Sequence, residues 1–95
     1  MVIKVDFDYD ADYIYCPDGV SLDMDTLIRR FNNWIYDESI NHPFWIDDTH
    51  CGVCYRGDAI AYWLNECVLE KNEDVAKVIE QMIKEDKAYD YAIML

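Results

Sequence analysis

The first sixteen residues, MVIKVDFDYDADYIYC, alternate Ile3, Val5, Phe7, Tyr9, Ala11, Tyr13 and Tyr15 with Lys4, Asp6, Asp8, Asp10 and Asp12. A period of two marks a β-strand, in which successive side chains point to opposite faces. The pattern predicts one apolar, largely aromatic face and an opposite face on which four aspartates stand in line. Strands mostly run about 3 to 10 residues, so the stretch must bend or double back. In a hairpin with a two-residue loop, opposed residues have unlike parity, yet the apolar set stays odd through Tyr15, which predicts an odd-numbered loop. Three loop residues centred on Asp10 would pair Phe7 with Tyr13 and Val5 with Tyr15, and would set Asp8 against Asp12, a like-charge contact.

Beyond the hairpin, Pro17, Asp18 and Gly19 form a turn signal. Met24, Leu27, Ile28, Phe31 and Ile35 then recur at helical spacing, and Asp23 and Asp25 suit a cap and first turn, predicting an amphipathic helix over 23–37. Trp34 and Tyr36 flank its stripe as core margin. Asn41, His42 and Pro43 end it, and Phe44, Trp45 and Ile46 read as a short buried strand. A loop from Asp47 to Gly57 follows. Asp58 is the expected N-cap of a second helix, with Ile60, Trp63, Leu64 and Cys67 on one face, ending near Glu70. Asn72 caps an expected third helix over 73–86, with Val75, Val78, Ile79, Met82 and Ile83 as its stripe and Glu73 four residues before Lys77. Ala88 to Leu95 reads as a final strand. The expected fold is α+β in a single domain, residues 1–95: a small, mainly antiparallel sheet made of the N-terminal hairpin and C-terminal strand, packed against two or three helices. The odd-numbered row would face the helices.

A chain of 95 residues buries only roughly 60 to 65% of its unfolded surface, so its core must be rich in large side chains. The hydrophobic fraction of 53% and aromatic fraction of 15% meet that need and exclude a disordered acidic tail. Twenty acidic against eight basic residues give a net charge of −12, which repels nucleic acid and anionic membranes and favours basic partners. Residues 1–28 hold seven Asp and one Lys, so the first third carries the imbalance. The sequence shows neither a secretory leader nor a membrane-spanning run, which points to the cytoplasm, where Cys16, Cys51, Cys54 and Cys67 would be thiols or ligands rather than disulfides.

Carboxylates two residues apart on one strand face are separated by ~6.6 to 6.8 Å, a repeat comparable with the phosphates of a nucleic-acid strand. Asp6, Asp8, Asp10 and Asp12, with Asp18, Asp23 and Asp25 near in sequence, could therefore imitate that backbone and fill a basic groove. The competing reading, an edge strand charged only to prevent aggregation, carries about equal weight. A calcium loop beginning at Asp6 or Asp8 fails: the Gly position falls on Ala11 or Tyr13, and the Glu position on Pro17 or Gly19.

His50, Cys51 and Cys54 make a second constellation, which His42, Cys16 or Cys67 could complete as tetrahedral zinc, although no second cysteine pair stands at motif spacing. A thiol-dependent enzyme, for example one pairing Cys51 with His42, is a third reading, but no phosphate loop, nucleophile elbow or metalloprotease motif supports catalysis. The expectation is a non-enzymatic protein with no cofactor that blocks a basic nucleic-acid-binding protein by charge mimicry, as small phage or mobile-element inhibitors of restriction or CRISPR effectors do, in the host cytoplasm. The zinc-stabilised interaction module and the thiol enzyme are the alternatives. A homo-oligomer stays open.

Overall fold

The computed structural model describes residues 1–17, 23–69 and 75–94. The predicted features at Asp18, Gly19, Glu70, Asn72, Glu73 and Leu95 lie outside the described residues. A mixed four-stranded sheet in the order β3-β2-β1-β4 is built from β1 (Val2–Asp6), β2 (Ala11–Tyr15), β3 (Lys77–Ile83) and β4 (Tyr91–Met94), with helices α1 (Met24–Ile35) and α2 (Gly57–Trp63). The fold is α+β, as the alternation of elements implies.

The hairpin forms with a different register from that predicted by parity. Val2 pairs with Tyr15, Lys4 with Tyr13, Val5 with Asp12 and Asp6 with Ala11. The loop is therefore the four residues Phe7 to Asp10, closed by the Phe7 N–H donating to the Asp10 carbonyl at 2.9 Å. An even loop reverses the parity of the second strand. Ile3 and Val5 face inward with Asp12 and Ile14, while Lys4 shares the outer face with Tyr13. The expected Phe7–Tyr13, Val5–Tyr15 and Asp8–Asp12 pairs do not form. The four aspartates accordingly do not line one face.

Tyr13 stays apolar on the outer face because that face is covered as well. The segment 84–90 joins β3 to β4 across the sheet. Ile83 lies opposite Ala11, and Tyr91 lies beside Ile3. Three strand spacings of about 4.8 Å and a few residues of rise make a diagonal of roughly 18 Å, within the about 26 Å reach of such a segment without any helix. Its passage buries Tyr13, whose hydroxyl accepts from Lys87 N–H at 3.0 Å and donates to the Glu85 carbonyl at 3.4 Å. Lys4 meets Asp86 at 2.6 Å, and the Val2 N–H donates to Asp90 at 2.6 Å.

Helix α1 follows its apolar spacing. Leu27, Phe31 and Ile35 are buried, and Asp23 caps it by accepting the Thr26 N–H at 2.8 Å. Ile3, Val5 and Ile14 join these residues and Ala59, Ile60, Trp63 and Leu64 in one core cluster. Phe44–Ile46 is not a buried strand. It makes one bridge, Trp45 to Val53, in a tight loop that leaves Ile46 exposed. After Trp63, α2 widens into a π-helical turn, Leu64–Val68. The wider turn takes Cys67 off the face it would share with Ile60, Trp63 and Leu64, so it is exposed rather than a core residue.

The expected third helix over 73–86 is the main correction, since its described part contains strand β3. Val75, Val78, Ile79 and Ile83 are β-branched and suit a strand once β2 offers an edge. Asn65 anchors the entry: its amide donates to the Ala76 carbonyl at 2.9 Å and accepts the Ala76 N–H at 2.8 Å. Residues spaced for one helix face are divided between two sheet faces, which leaves Ile79 50% and Met82 61% exposed. β1 and β2 are the central strands and β3 and β4 the edges, so the aspartates of β1 and β2 do not protect an edge.

Candidate functional site

Asp12 is fully buried, and α2, β3 and the Arg56 side chain each supply it with a partner. The Gly57 N–H at the start of α2 donates to Oδ2 at 2.7 Å, and the Met82 N–H of β3 to Oδ1 at 3.0 Å. Arg56 adds Nε contacts at 3.1 and 3.2 Å and a terminal nitrogen at 2.8 Å. Burial alone would raise this carboxyl. The Arg56 guanidinium and the Met82 and Gly57 N–H groups outweigh that effect and hold it below the usual carboxylate range.

The backbone is shaped for this carboxylate. The β2–β3 register shifts between Ala11 and Tyr13, and Met82 adopts φ 56°, a strained value for a residue with a side chain. The bulge turns the Met82 N–H toward Asp12. At Gly57 an added Cβ would lie 2.9 Å from the Asp12 Cβ, so only glycine permits the approach. Asp58 is not the N-cap; Arg56 holds that position, and Asp58 accepts the Arg56 N–H at 3.0 Å.

Arg56 extends the network to the surface. Its terminal nitrogen also meets Asp10 Oδ1 at 2.5 Å, and its guanidinium lies 4.3 Å from the centre of the Phe7 ring. Both ends of the hairpin loop are thus fastened to one side chain. Between them Asp8 is exposed and Tyr9 is 89% exposed. Beside the loop is an open cleft of about 180 Å³ lined by Lys4, Asp6, Phe7, Tyr9, Asp10, Ala11 and residues 83–86.

The predicted contact residues therefore separate. Asp6 and Asp10 border the cleft and are paired with Lys4 and Arg56, Asp8 is exposed, and Asp12 is out of reach of any partner. Asp23 and Asp25 are exposed at the start of α1. A second acidic patch, Asp37, Glu38, Asp47 and Asp48, leaves no contiguous signal in the sequence because its two halves are separated by the Pro43 loop. The His50 Nδ1–H donates to the Glu38 carbonyl at 2.8 Å and joins them.

The cysteine and histidine residues do not assemble. Among the described residues no group of three His, Cys, Asp or Glu side chains is placed to hold a metal ion, so the zinc set of Cys51, Cys54, His50, His42, Cys16 and Cys67 is not formed. Cys16 is buried at the end of β2, while Cys51 and Cys54 are exposed. His42 is structural: Nε2 donates to the Ile35 carbonyl at 2.8 Å, finishing α1, and Nδ1 accepts the Phe44 N–H at 3.1 Å. With both nitrogens occupied it is not placed to activate Cys51. Trp34, His42, Trp45 and His50 form a column of rings with successive centres 4.6, 4.6 and 4.5 Å apart.

No protein-family model, curated protein or solved structure matches this chain. No helix among the described residues is long and apolar enough to cross a membrane.

Proposed function

We propose that this is a non-enzymatic acidic binding protein that occupies a basic, nucleic-acid-binding surface of another protein. It belongs, on this reading, with phage- or mobile-element-encoded inhibitors of restriction or CRISPR effectors and acts in the host cytoplasm. The observation that carries it is the distribution of charge. The net charge is −12, and Lys4, Arg56 and Lys87 are consumed by internal pairs. Asp8, Asp25, Glu38, Asp48, Glu66 and Glu85 are exposed with no ion pair among the described residues. Such a surface repels phosphates and attracts arginine and lysine, with fast, salt-dependent association. The contacting acids are Asp6, Asp8, Asp10, Asp23 and Asp25 with the other exposed carboxylates, not a straight row, and Asp12 supports them from beneath.

The test is to immobilise the protein in host lysate at low salt and elute in parallel with duplex DNA and with salt. The expected result is one predominant nucleic-acid-binding protein released by both. Retention of proteins that ignore both eluents overturns the reading.

A further inference from the structure

Carboxylates alone would make most of this surface a candidate, so the choice rests on what else accompanies them. The cleft beside the hairpin loop is concave, carries an aromatic ring packed against almost nothing, and is held in shape from below. Its lining places Asp6, Asp10, Glu85 and Asp86 around Tyr9. The chain itself sets two lysines, Lys4 and the exposed Lys84, against these four carboxylates, which still leaves the lining acidic. Lys4 Nζ meets Asp86 Oδ1 at 2.6 Å and Asp6 Oδ1 at 3.4 Å, and its ammonium is held charged well above the ordinary lysine range by Asp86 first and then Asp6. The shortest contacts of Lys4 and Arg56 with Asp6, Asp86 and Asp10 all fall on Oδ1. The Oδ2 atoms of these three residues have no hydrogen bond among the described residues.

We infer that this cleft is the seat for a guanidinium, an arginine side chain of the partner, which lies against the Tyr9 ring and donates to the outward carboxylate oxygens of Asp6, Asp10 and Asp86. A planar fork of donors suits several fixed acceptors and an aromatic face at once, which a point charge such as ammonium does not. The loop needs no reorganisation to receive it, because Arg56 fastens Phe7 and Asp10 beforehand, and a pre-ordered loop loses less entropy on binding. This assignment rests on the proposed function, and gives it a location.

The test is NMR titration of the intact protein with hexa-arginine and hexa-lysine peptides at low salt, using Tyr9→Ala and, as control, Tyr36→Ala, which alters the other acidic patch. Both tyrosines are exposed, so both variants fold. The expected result is saturable shifts concentrated at Asp6, Tyr9, Asp10 and Asp86, tighter binding of hexa-arginine, and a loss of about threefold or more in Tyr9→Ala alone. Shifts spread over all exposed acids, equal effects of the two variants, or equal binding of the two peptides overturns the cleft assignment while leaving the acidic-binder reading in place. Failure of both peptides to bind overturns both readings.

Discussion

Replacing Asp12 by alanine removes one carboxylate and leaves the Gly57 and Met82 N–H groups without their acceptor. An orphaned buried donor costs about 1–3 kcal/mol, and breaking a buried charge pair about 3–5 kcal/mol in all. Arg56 remains partly hydrated, its side chain being 27% exposed, so the lower half of that range applies. A chain of 95 residues has roughly 5–14 kcal/mol to lose. A loss of about 3–4 kcal/mol, at 4–8 °C per kcal/mol, lowers Tm by at least about 12 °C. Asp12→Asn keeps one acceptor oxygen but turns an NH₂ toward a donor, so it falls between wild type and alanine.

Urea unfolding followed by tryptophan fluorescence measures each variant, and a cycle with Arg56→Ala isolates the pair, with an expected coupling of about 1–3 kcal/mol. The pH dependence has a definite sign. The Asp12 carboxyl is lowered in the folded state, so its contribution is fully present above the ordinary unfolded value of about 3.9 and is lost as pH falls toward the folded value. Asp23, Asp37 and Asp47 are also lowered and are untouched by the change, so the difference between wild type and Asp12→Asn below about pH 4 belongs to Asp12. If Asp12→Asn unfolds within about 0.5 kcal/mol of wild type, the ordinary range for surface substitutions, Asp12 does not hold β2, β3 and α2 together.

Gly57→Ala pushes a Cβ into Asp12 and costs about 1–3 kcal/mol in the same urea assay; an unchanged midpoint contradicts the close approach. Asn65→Ala frees both backbone groups of buried Ala76 and costs about 1–3 kcal/mol, with hydrogen exchange accelerated first in β3; uniform exchange argues against a local anchor. In the native protein a thiol reagent modifies Cys51, Cys54 and Cys67 and reaches Cys16 only on unfolding, read by mass spectrometry of the labelled peptides; early labelling of Cys16 contradicts its burial.

Helix α1 was legible because spacing, cap and first-turn charge agreed, and Asp23 caps it as expected. The hairpin was legible as a hairpin but not in register. Parity fixes the register only where an apolar side chain marks a single covered face, whereas Tyr13 is buried on the opposite face beneath a segment seventy residues later in the chain. Asp12 was misplaced for the same reason: no local signal says that a carboxylate will point inward until Arg56, Gly57 and Met82 are known to surround it. β3 was misread because Val75, Val78, Ile79, Met82 and Ile83 satisfy helical spacing, while the edge of β2 that recruits part of that segment is visible only in three dimensions. The bulge at Met82 then spoils the strand alternation that could have corrected the reading. Within the candidate site, the acids were legible as a composition and as charge, but their pairing with Lys4 and Arg56 was not.

The parallel pairing of β1 with β4 has a consequence in time. Ile3 must wait for Tyr91 and Val5 for Ile93, so a central strand of the sheet is completed only by residues far later in the chain. Contacts so distant in sequence slow folding, toward the millisecond-to-second range typical of nonlocal topologies. Until they close, the free edge of β1 can recruit the wrong strand. A chain shortened by its last strand would therefore lose far more than four residues' worth of structure.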